Sequence, residues 1–441
     1  MLELFSSGLL GAWLEMAGVE MTPDKTIAAV IGPGVPGVVL PSVPDPIANT
    51  AIEEYLERLR AKGLLLDVQG VWVQTRLHLL ASNEGNTALP AASITKVATS
   101  LAALSEWERD RQFDTLVGAT GNIANGVLDG NLNIQGGGDP LFVWEEAIAL
   151  GNALNKLGIR RVTGNLAIAG NFWMNFKDNS QLSGELLKLA LDSETWPPEA
   201  AAAHAKMPPG TPKPSVAIAG SVVLSALSAP NQKLLIRHRS LPLIELLKRM
   251  NIYSNNFMAE TLADGLGGAK AVQRLAAKEA GVSPEEIQLV NGSGLSRQNR
   301  ISARAACGMF IAIQRYLQFE VPPTERAYNI ADLFPISGLD AGTLEERNVP
   351  KGATVKTGSL WDVSALAGFL PTRDRGLVCF AIINRGDYLE GFRAEQDKLL
   401  HQLVKEWGTA KETPLALTRN TLPNSGLNVL GAPGRNESSE F

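Results

Sequence analysis

The sequence has few cysteines and histidines, the residues that supply most disulfide frameworks and transition-metal sites. Its 441 residues include 2 cysteines and 4 histidines. Cys307 and Cys379 are far apart in the chain, and Cys379 lies within the apolar run 377–383, where a buried free thiol is the usual finding. The histidines are scattered, with no H-E-x-x-H motif. The sequence therefore supports neither a disulfide framework nor a metal centre, and we expect no metal cofactor.

An excess of positive charge and a long apolar run are also absent. The chain has 40 basic and 45 acidic residues, which gives a net charge of −5, and no Lys/Arg run is long enough to neutralise a phosphate backbone. No uninterrupted apolar run reaches the roughly 18 residues needed to span a bilayer. With 45% hydrophobic and 19% charged residues, the chain is expected to be globular and not to bind nucleic acid.

The N-terminal segment lacks the basic residues of a standard signal peptide. Residues 4–14 are apolar, but Glu3 precedes them and Glu15 follows. Apolar residues recur at helical spacing over residues 2–14, which indicates an amphipathic helix that either packs on the protein or lies on a membrane surface. Peripheral membrane contact through this segment stays open, and five prolines over residues 33–46 mark a connector.

Hydrophobic periodicity predicts an α+β protein. Three β-rich runs separated by short turns, 353–358, 363–370 and 376–384, predict an antiparallel meander. The pattern also predicts helices, at 51–61, 93–107, 142–157, 241–251, 254–266, 268–280, 302–316 and 391–407.

Changes in composition divide the chain into four parts. We expect an N-terminal segment and connector over 1–46, a main domain over 47–120 and 225–412, an inserted subdomain over 121–224, and a disordered tail over 413–441. The six prolines between Trp196 and Pro214 predict an irregular return without a helix.

Two common catalytic motifs fail on inspection. The run 32–37 matches G-x-G-x-x-G, but the prolines after it prevent the helix that a dinucleotide site requires. No G-x-S-x-G nucleophile elbow is present, which argues against the α/β-hydrolase arrangement.

A third catalytic motif, S-x-x-K, is present at Ser93–Lys96. Positions i and i+3 lie on one face of a helix, so the Lys96 amine can reach Ser93 Oγ and accept its proton if the Lys96 pKa is lowered. Alone the motif is weak evidence for catalysis, because a helix-capping serine followed by a solvated lysine has the same sequence pattern.

Two further motifs follow in order. Ser254-Asn255-Asn256 is predicted to begin a helix, where it either caps the helix or points a hydroxyl and an amide into a cleft. Lys356-Thr357-Gly358 falls on a predicted strand, with a positive charge and a hydroxyl for a carboxylate and a glycine that lets a ligand backbone approach. A lysine on an edge strand is the alternative. Three motifs in this order, each with suitable local structure, are hard to attribute to chance.

Together they resemble the active-site-serine penicillin-binding proteins and β-lactamases, and most closely the low-molecular-mass class C D-alanyl-D-alanine carboxypeptidases. The resemblance spans about residues 47–407. Further segments resemble signatures of that subfamily, namely 136–140, 254–260, 291–297 and 341–344. The inserted region is shorter than expected for the subfamily, and Asn291 stands where an aspartate is expected.

The resemblance implies a serine β-lactamase/DD-peptidase-like antiparallel sheet with flanking helices. It implies that Ser93 attacks the bond between two D-alanines of a peptidoglycan stem peptide with Lys96 as base. Further implied roles are proton relay by Ser254, amide binding or Lys96 orientation by Asn256, and carboxylate binding by Lys356 and Thr357. Gly358 and Ser359 are further implied substrate-binding residues, and the Ser93 and Ser359 N–H groups form an oxyanion hole.

The resemblance also has implications for ligands, for cellular location and for alternative functions. β-Lactam antibiotics are expected ligands, no cofactor is needed, and the location is the periplasm or cell envelope. A DD-endopeptidase, a β-lactamase-type hydrolase and a non-hydrolytic peptidoglycan-binding scaffold remain alternatives. Asp139 either faces the cleft, to meet a cationic group of the stem peptide, or caps its own turn.

Overall fold

The computed structural model describes residues 44–225, 232–319, 328–412, 414, 417–419 and 427–438. The amphipathic pattern at residues 2–14 and the G-x-G-x-x-G run lie outside the described residues. The strands are β1 (Gln69–Gln74), β2 (Leu79–Asn83), β3 (Leu89–Pro90), β4 (Asp114–Ala124), β5 (Val127–Gly137), β6 (Arg161–Val162), β7 (Leu166–Asn171), β8 (Ala217–Ile218), β9 (Val222–Leu224), β10 (Lys233–Arg239), β11 (Ile287–Gln288), β12 (Arg300–Ile301), β13 (Thr354–Leu360), β14 (Val363–Pro371), β15 (Leu377–Arg385) and β16 (Asn436–Ser438).

The α-helices are α1 (Pro46–Arg60), α2 (Thr95–Glu106), α3 (Trp144–Lys156), α4 (Ser180–Ala190), α5 (Pro198–Lys206), α6 (Leu243–Ile252), α7 (Asn256–Gly265), α8 (Ala269–Ala280), α9 (Ala303–Phe319) and α10 (Leu389–Trp407). These α-helices correspond to the predicted ones, except for α4 and α5, which were not predicted. Within the described residues, no helix is both long enough and apolar enough to cross a membrane.

The first sheet is antiparallel, in the order β13-β14-β15-β1-β2. Its central strands are almost wholly apolar because helices cover both faces. On β15, Phe380 and Ile382 pack with residues of α1 and α10, while the alternate residues Cys379, Ala381 and Ile383 pack with residues of α2 and α9. The predicted antiparallel meander and α+β class are confirmed, and both cysteines are buried free thiols.

A second sheet has its own core. Its strand order is β16-β10-β4-β5-β6-β8, with β7 and β9 paired beside β5. The pairs among β16, β10, β4 and β5 are antiparallel, and the remaining pairs are parallel. The sheet begins at Asp114 and includes β10, so it extends beyond both ends of the segment 121–224.

Two sequence predictions about proline-rich and polar segments were wrong. The return between Trp196 and Pro214 contains helix α5, which starts with Pro198 at a position whose N–H needs no partner and ends at Lys206. Part of the segment 413–441, predicted as a disordered tail, is packed. Within it, β16 pairs with β10, and the Arg435 guanidinium is buried 2.5 Å from the Glu146 carboxylate.

Candidate active site

Ser93 lies in a short 3₁₀ turn, 92–94, immediately before α2. Ala92 has a φ of +46°, a left-handed conformation that non-glycine residues rarely adopt and that clusters at functional sites. The helix-capping alternative for Ser93 is wrong, because the N-cap residues are Ala91 and Ile94. The Ser93 hydroxyl instead accepts a hydrogen bond from Lys96 Nζ at 3.0 Å.

Lys96 is fully buried, so the solvated-lysine alternative is also wrong. Its Nζ lies 2.7 Å from both Asn256 Oδ1 and Ser293 O, in addition to Ser93 Oγ. Burial lowers the pKa of the Lys96 amine to about 7, against an opposing effect of the Glu260 carboxylate. Lysine at that pKa is a competent proton acceptor near neutral pH.

The Ser254-Asn255-Asn256 motif combines both of its predicted uses. Asn255 caps α7, its side chain accepting a hydrogen bond from Met258 N at 3.0 Å. On either side of it, Ser254 and Asn256 point their polar groups toward the cleft. Ser254 is held at a φ of +52°, and its Oγ accepts from Lys356 Nζ at 3.0 Å.

Lys356 is fully buried on β13, the edge strand of the first sheet. Its Nζ donates to Ser254 Oγ and, at 2.9 Å, to Thr357 O. Burial, followed by the charge of Lys96, holds the Lys356 pKa well below its usual range. An anion arriving beside this amine would favour its charged form, as a carboxylate-binding lysine requires.

The other residues of the third motif sit beside the cleft. The Thr357 hydroxyl donates to Thr343 Oγ1 at 2.8 Å, and the exposed Ser359 accepts from Arg393 at 3.0 Å. Gly358 packs against the chain's own backbone: a Cβ there would lie 2.9 Å from Ala91 O and 3.0 Å from Ser93 N. The absent side chain therefore lets β13 approach the Ser93 turn.

A cleft of about 300 Å³ lies beside these groups, and the buried Lys96 and Lys356 are not among the residues that line it. Its lining residues are Ser93, Ser254, Asn256, Gly294, Leu295, Thr343, Glu346, Arg347, Thr357, Gly358, Ser359, Leu360 and Arg393. Sequence reasoning missed Arg393, for which no local pattern exists. The segments 341–344 and 291–297 were identified as family signatures, but no contact was predicted for Thr343 or Ser293.

Asp139 does not line this cleft. Its buried Oδ1 accepts from Leu141 N at 2.8 Å, and Oδ2 lies 4.0 Å from His238 Nε2. Burial raises the pKa of Asp139 to about 7. Of its two predicted uses, the structure shows turn capping.

Comparisons with known proteins agree with this arrangement. Residues 51–182 and 212–405 match the model of the D-Ala-D-Ala carboxypeptidase 3 (S13) family. The D-alanyl-D-alanine carboxypeptidase DacB of Haemophilus influenzae is 25% identical over 68% of this chain and 81% of its own length. Carboxypeptidase DacB of Mycolicibacterium smegmatis is 28% identical over 66% of this chain and 70% of its own length.

A solved structure gives the same answer for the fold. The penicillin-G-acylated predatory endopeptidase Bd3459 of Bdellovibrio bacteriovorus superimposes with a TM-score of 0.69 at 22% identity, covering 84% of this chain and 99% of that one. The family match extends over both the first sheet and most of the second. The chain therefore belongs to the D-Ala-D-Ala carboxypeptidase 3 (S13) family.

Proposed function

We propose that this enzyme is a serine-type D-alanyl-D-alanine carboxypeptidase that cleaves peptidoglycan stem peptides through an acyl-enzyme on Ser93. The observation that carries the proposal is the Ser93–Lys96 hydrogen bond at the wall of the cleft, with a buried lysine whose pKa lies near 7. A second amine, Lys356, faces Ser254 in the same site. The site thus combines a nucleophile, a base and a second amine that can bind a carboxylate.

Acylation follows from this geometry. Ser93 Oγ attacks the carbonyl carbon of the D-Ala–D-Ala bond while its proton passes to the neutral Lys96 amine. Backbone N–H groups of Ser93 and Ser359 would stabilise the developing oxyanion. As the C–N bond breaks, Ser254 relays this proton from Lys96 to the leaving amine, which leaves Lys96 neutral, and free D-alanine departs.

Deacylation reverses the proton path. Lys96 takes a proton from a water molecule as the water oxygen attacks the ester carbonyl; when the bond to Ser93 Oγ breaks, the proton passes from Lys96 to that oxygen and restores Ser93. Asn256 Oδ1, 2.7 Å from Lys96 Nζ, keeps the amine in place through both steps.

Recognition of the free C-terminus is assigned to β13. The Lys356 amine and the Thr357 hydroxyl are donors on this strand, and Arg393, held at 3.0 Å from Ser359 Oγ, adds a cation at the cleft. A charge-assisted pair with a carboxylate is stronger than a neutral hydrogen bond. The substrate's terminal carboxylate is therefore expected to sit beside these residues.

The cell envelope, and the periplasm in particular, is the proposed location, because peptidoglycan is there. Relatives named DacB support a wall-directed substrate, and the acylated structure of Bd3459 supports penicillins as ligands.

Intact-mass spectrometry after incubation with benzylpenicillin tests the proposal. One penicilloyl adduct is expected, mapped by peptide analysis to Ser93, and none in Ser93→Ala. That variant should unfold at nearly the same temperature, because Ser93 caps no helix. An adduct on another residue, or none on the folded wild-type protein, would contradict it.

A further inference from the structure

Glu260 stands one helical turn after Asn256 on α7 and has no role in the mechanism above. Its carboxylate binds a tight turn, 291–294, with both oxygens: Oε2 accepts from Gly292 N at 2.8 Å and Oε1 from Ser293 N at 3.0 Å. The Ser293 carbonyl is the group that accepts a hydrogen bond from Lys96. Glu260 is therefore joined to Lys96 through one residue of backbone.

The turn is also fixed from the side of α2. Thr99 Oγ1 donates to Gly292 O at 2.8 Å, so both polar groups of that peptide are held. A Cβ on Gly292 would lie 2.7 Å from Ala259 O, which shows how closely the turn packs on α7. Contacts from α2 and α7 together thus hold the backbone that leads to the Ser293 carbonyl, and Glu260 supplies two of them.

The importance of that carbonyl follows from the hydrogen-bonding capacity of an amine. A neutral lysine has two N–H donors and one lone pair, whereas the ammonium form has three donors and no lone pair. Two of the three neighbours of Lys96 Nζ, Asn256 Oδ1 and Ser293 O, are only acceptors. When they take both donors of the neutral amine, the lone pair faces the third neighbour, the Ser93 hydroxyl.

We propose that Glu260 is a positioning residue for acylation: by fixing the Ser293 carbonyl, it aims the lone pair of Lys96 at Ser93 Oγ. The inference rests on the proposed function and assigns Glu260 no contact with substrate. Without the carboxylate, the turn loses two charge-assisted hydrogen bonds, and one of the two acceptors that orient Lys96 is released.

The charge of Glu260 gives this role a separate signature. Burial lowers the pKa of the Lys96 amine, and the Glu260 carboxylate, on α7, opposes that effect by favouring the protonated amine. The other amine of the site, Lys356 on β13, is itself held well below its usual pKa by burial and by the charge of Lys96. Replacing Glu260 with a neutral residue lowers the pKa of Lys96 further, so the acid limb of the acylation profile moves to lower pH. A residue that only stabilised the fold would leave that limb in place.

Acylation of Ser93 by a chromogenic cephalosporin, followed from pH 5 to 9, tests the inference. For Glu260→Gln we expect a rate above pH 8 at least about tenfold below wild type, since general-base catalysis contributes about 10²- to 10⁴-fold, with the acid limb at lower pH. Glu260→Asp keeps the charge but shortens the side chain, so it should lose rate without moving the limb.

Glu286→Gln is the matched control. Glu286 is a buried carboxylate that accepts from Ser302 and Arg304 at 2.6 Å and is not among the residues that line the cleft. The Glu286→Gln variant should be acylated at the wild-type rate, with the acid limb at the wild-type pH.

The outcomes separate the two proposals. Failure of the wild-type enzyme to acylate would overturn the proposed function itself. An acylating wild type with Glu260→Gln at the same rate, or slower with an unmoved acid limb, would overturn the role of Glu260. If Glu260→Gln does not unfold cooperatively, Glu260→Asp decides: a lower rate supports the inference, and a wild-type rate overturns it.

Discussion

Two buried lysine amines share the residue-scale chemistry of the cleft, and each has a different set of neighbours. Lys96 faces Ser93, Asn256 and the Ser293 carbonyl, whereas Lys356 faces Ser254. Burial lowers both pKa values because a charged amine loses its hydration. The Lys96 amine is thereby suited to accept a proton, and the Lys356 amine is suited to bind an anionic group.

The pH dependence of acylation should report the Lys96 amine. Below its pKa of about 7 the amine is protonated and has no lone pair, so the rate should fall about tenfold for each further pH unit. Above that pH the rate should level off. Stopped-flow measurement of penicillin acylation between pH 5 and 9 checks this, and a rate that still rises about tenfold per pH unit up to pH 9 would show an ordinary lysine.

Replacing Lys356 should weaken recognition of a free carboxylate selectively. Lys356→Met removes the ammonium group and retains most of the buried side-chain volume. We expect kcat/KM on a stem pentapeptide ending in a free acid to fall about 10- to 100-fold, as for loss of a hydrogen bond to a charged group. The same peptide with a C-terminal amide should lose much less, and equal losses would assign Lys356 to Lys96 or to folding.

At the scale of elements, the site depends on the approach of β13 to the turn that carries Ser93. Gly358→Ala would place a Cβ 2.9 Å from Ala91 O and 3.0 Å from Ser93 N. Overpacking of this kind costs about 1–3 kcal/mol, and here it pushes the strand away from the nucleophile. Both the free energy of unfolding and the acylation rate should fall, as measured by urea denaturation and by stopped flow.

Gly265→Ala is the control for that substitution. Its Cβ would meet only the ring of Trp107, at 3.2 Å, and alanine is favoured over glycine in a helix. Wild-type acylation is expected for this variant. Equal losses in both variants would show that the approach at Gly358 has no special importance.

Local patterns predict elements well in this chain and long-range contacts poorly. Helical spacing predicted helix 268–280, observed as Ala269–Ala280, and short turns predicted the meander of β13, β14 and β15. Proline content misled the prediction for α5, because Pro198 stands where a helix accepts it.

Long-range contacts were also the part of the site that local patterns did not predict. Motif spacing identified Ser93 and Lys96 because both belong to one turn of helix. The contact of Glu260 with residues 292–293 joins segments about 30 residues apart, and Arg393 reaches Ser359 from α10. Such contacts depend on packing between elements, which periodicity does not encode.

On the scale of the whole molecule, the second sheet is assembled from distant parts of the chain. Strands β4 to β10 come from one stretch, but the edge strand β16 comes from residues 436–438, after all the strands of the first sheet. Arg435, just before this strand, forms a buried ion pair with Glu146 and donates a hydrogen bond to Arg239 O at 2.9 Å, and both contacts stabilise the position of β16.

Removal of Arg435 should destabilise the second sheet without disabling Ser93. In Arg435→Ala the Glu146 carboxylate stays buried without its counter-charge, a loss of about 3–5 kcal/mol. Thermal unfolding should show an earlier transition, while penicillin acylation below that temperature stays at the wild-type rate. The double variant Arg435→Met, Glu146→Gln should recover part of the lost stability. If it recovers none, the unpaired charge of Glu146 is not the cause of the loss.

The late position of β16 also matters for how the chain matures. A polypeptide emerges from the ribosome N-terminus first, so β10 is available long before the strand that covers its edge. A product truncated before residue 427 would carry an unpaired strand edge and an uncompensated Glu146, features that favour aggregation and local opening. Closure of this edge thus makes the stability of the second sheet depend on complete synthesis of the enzyme.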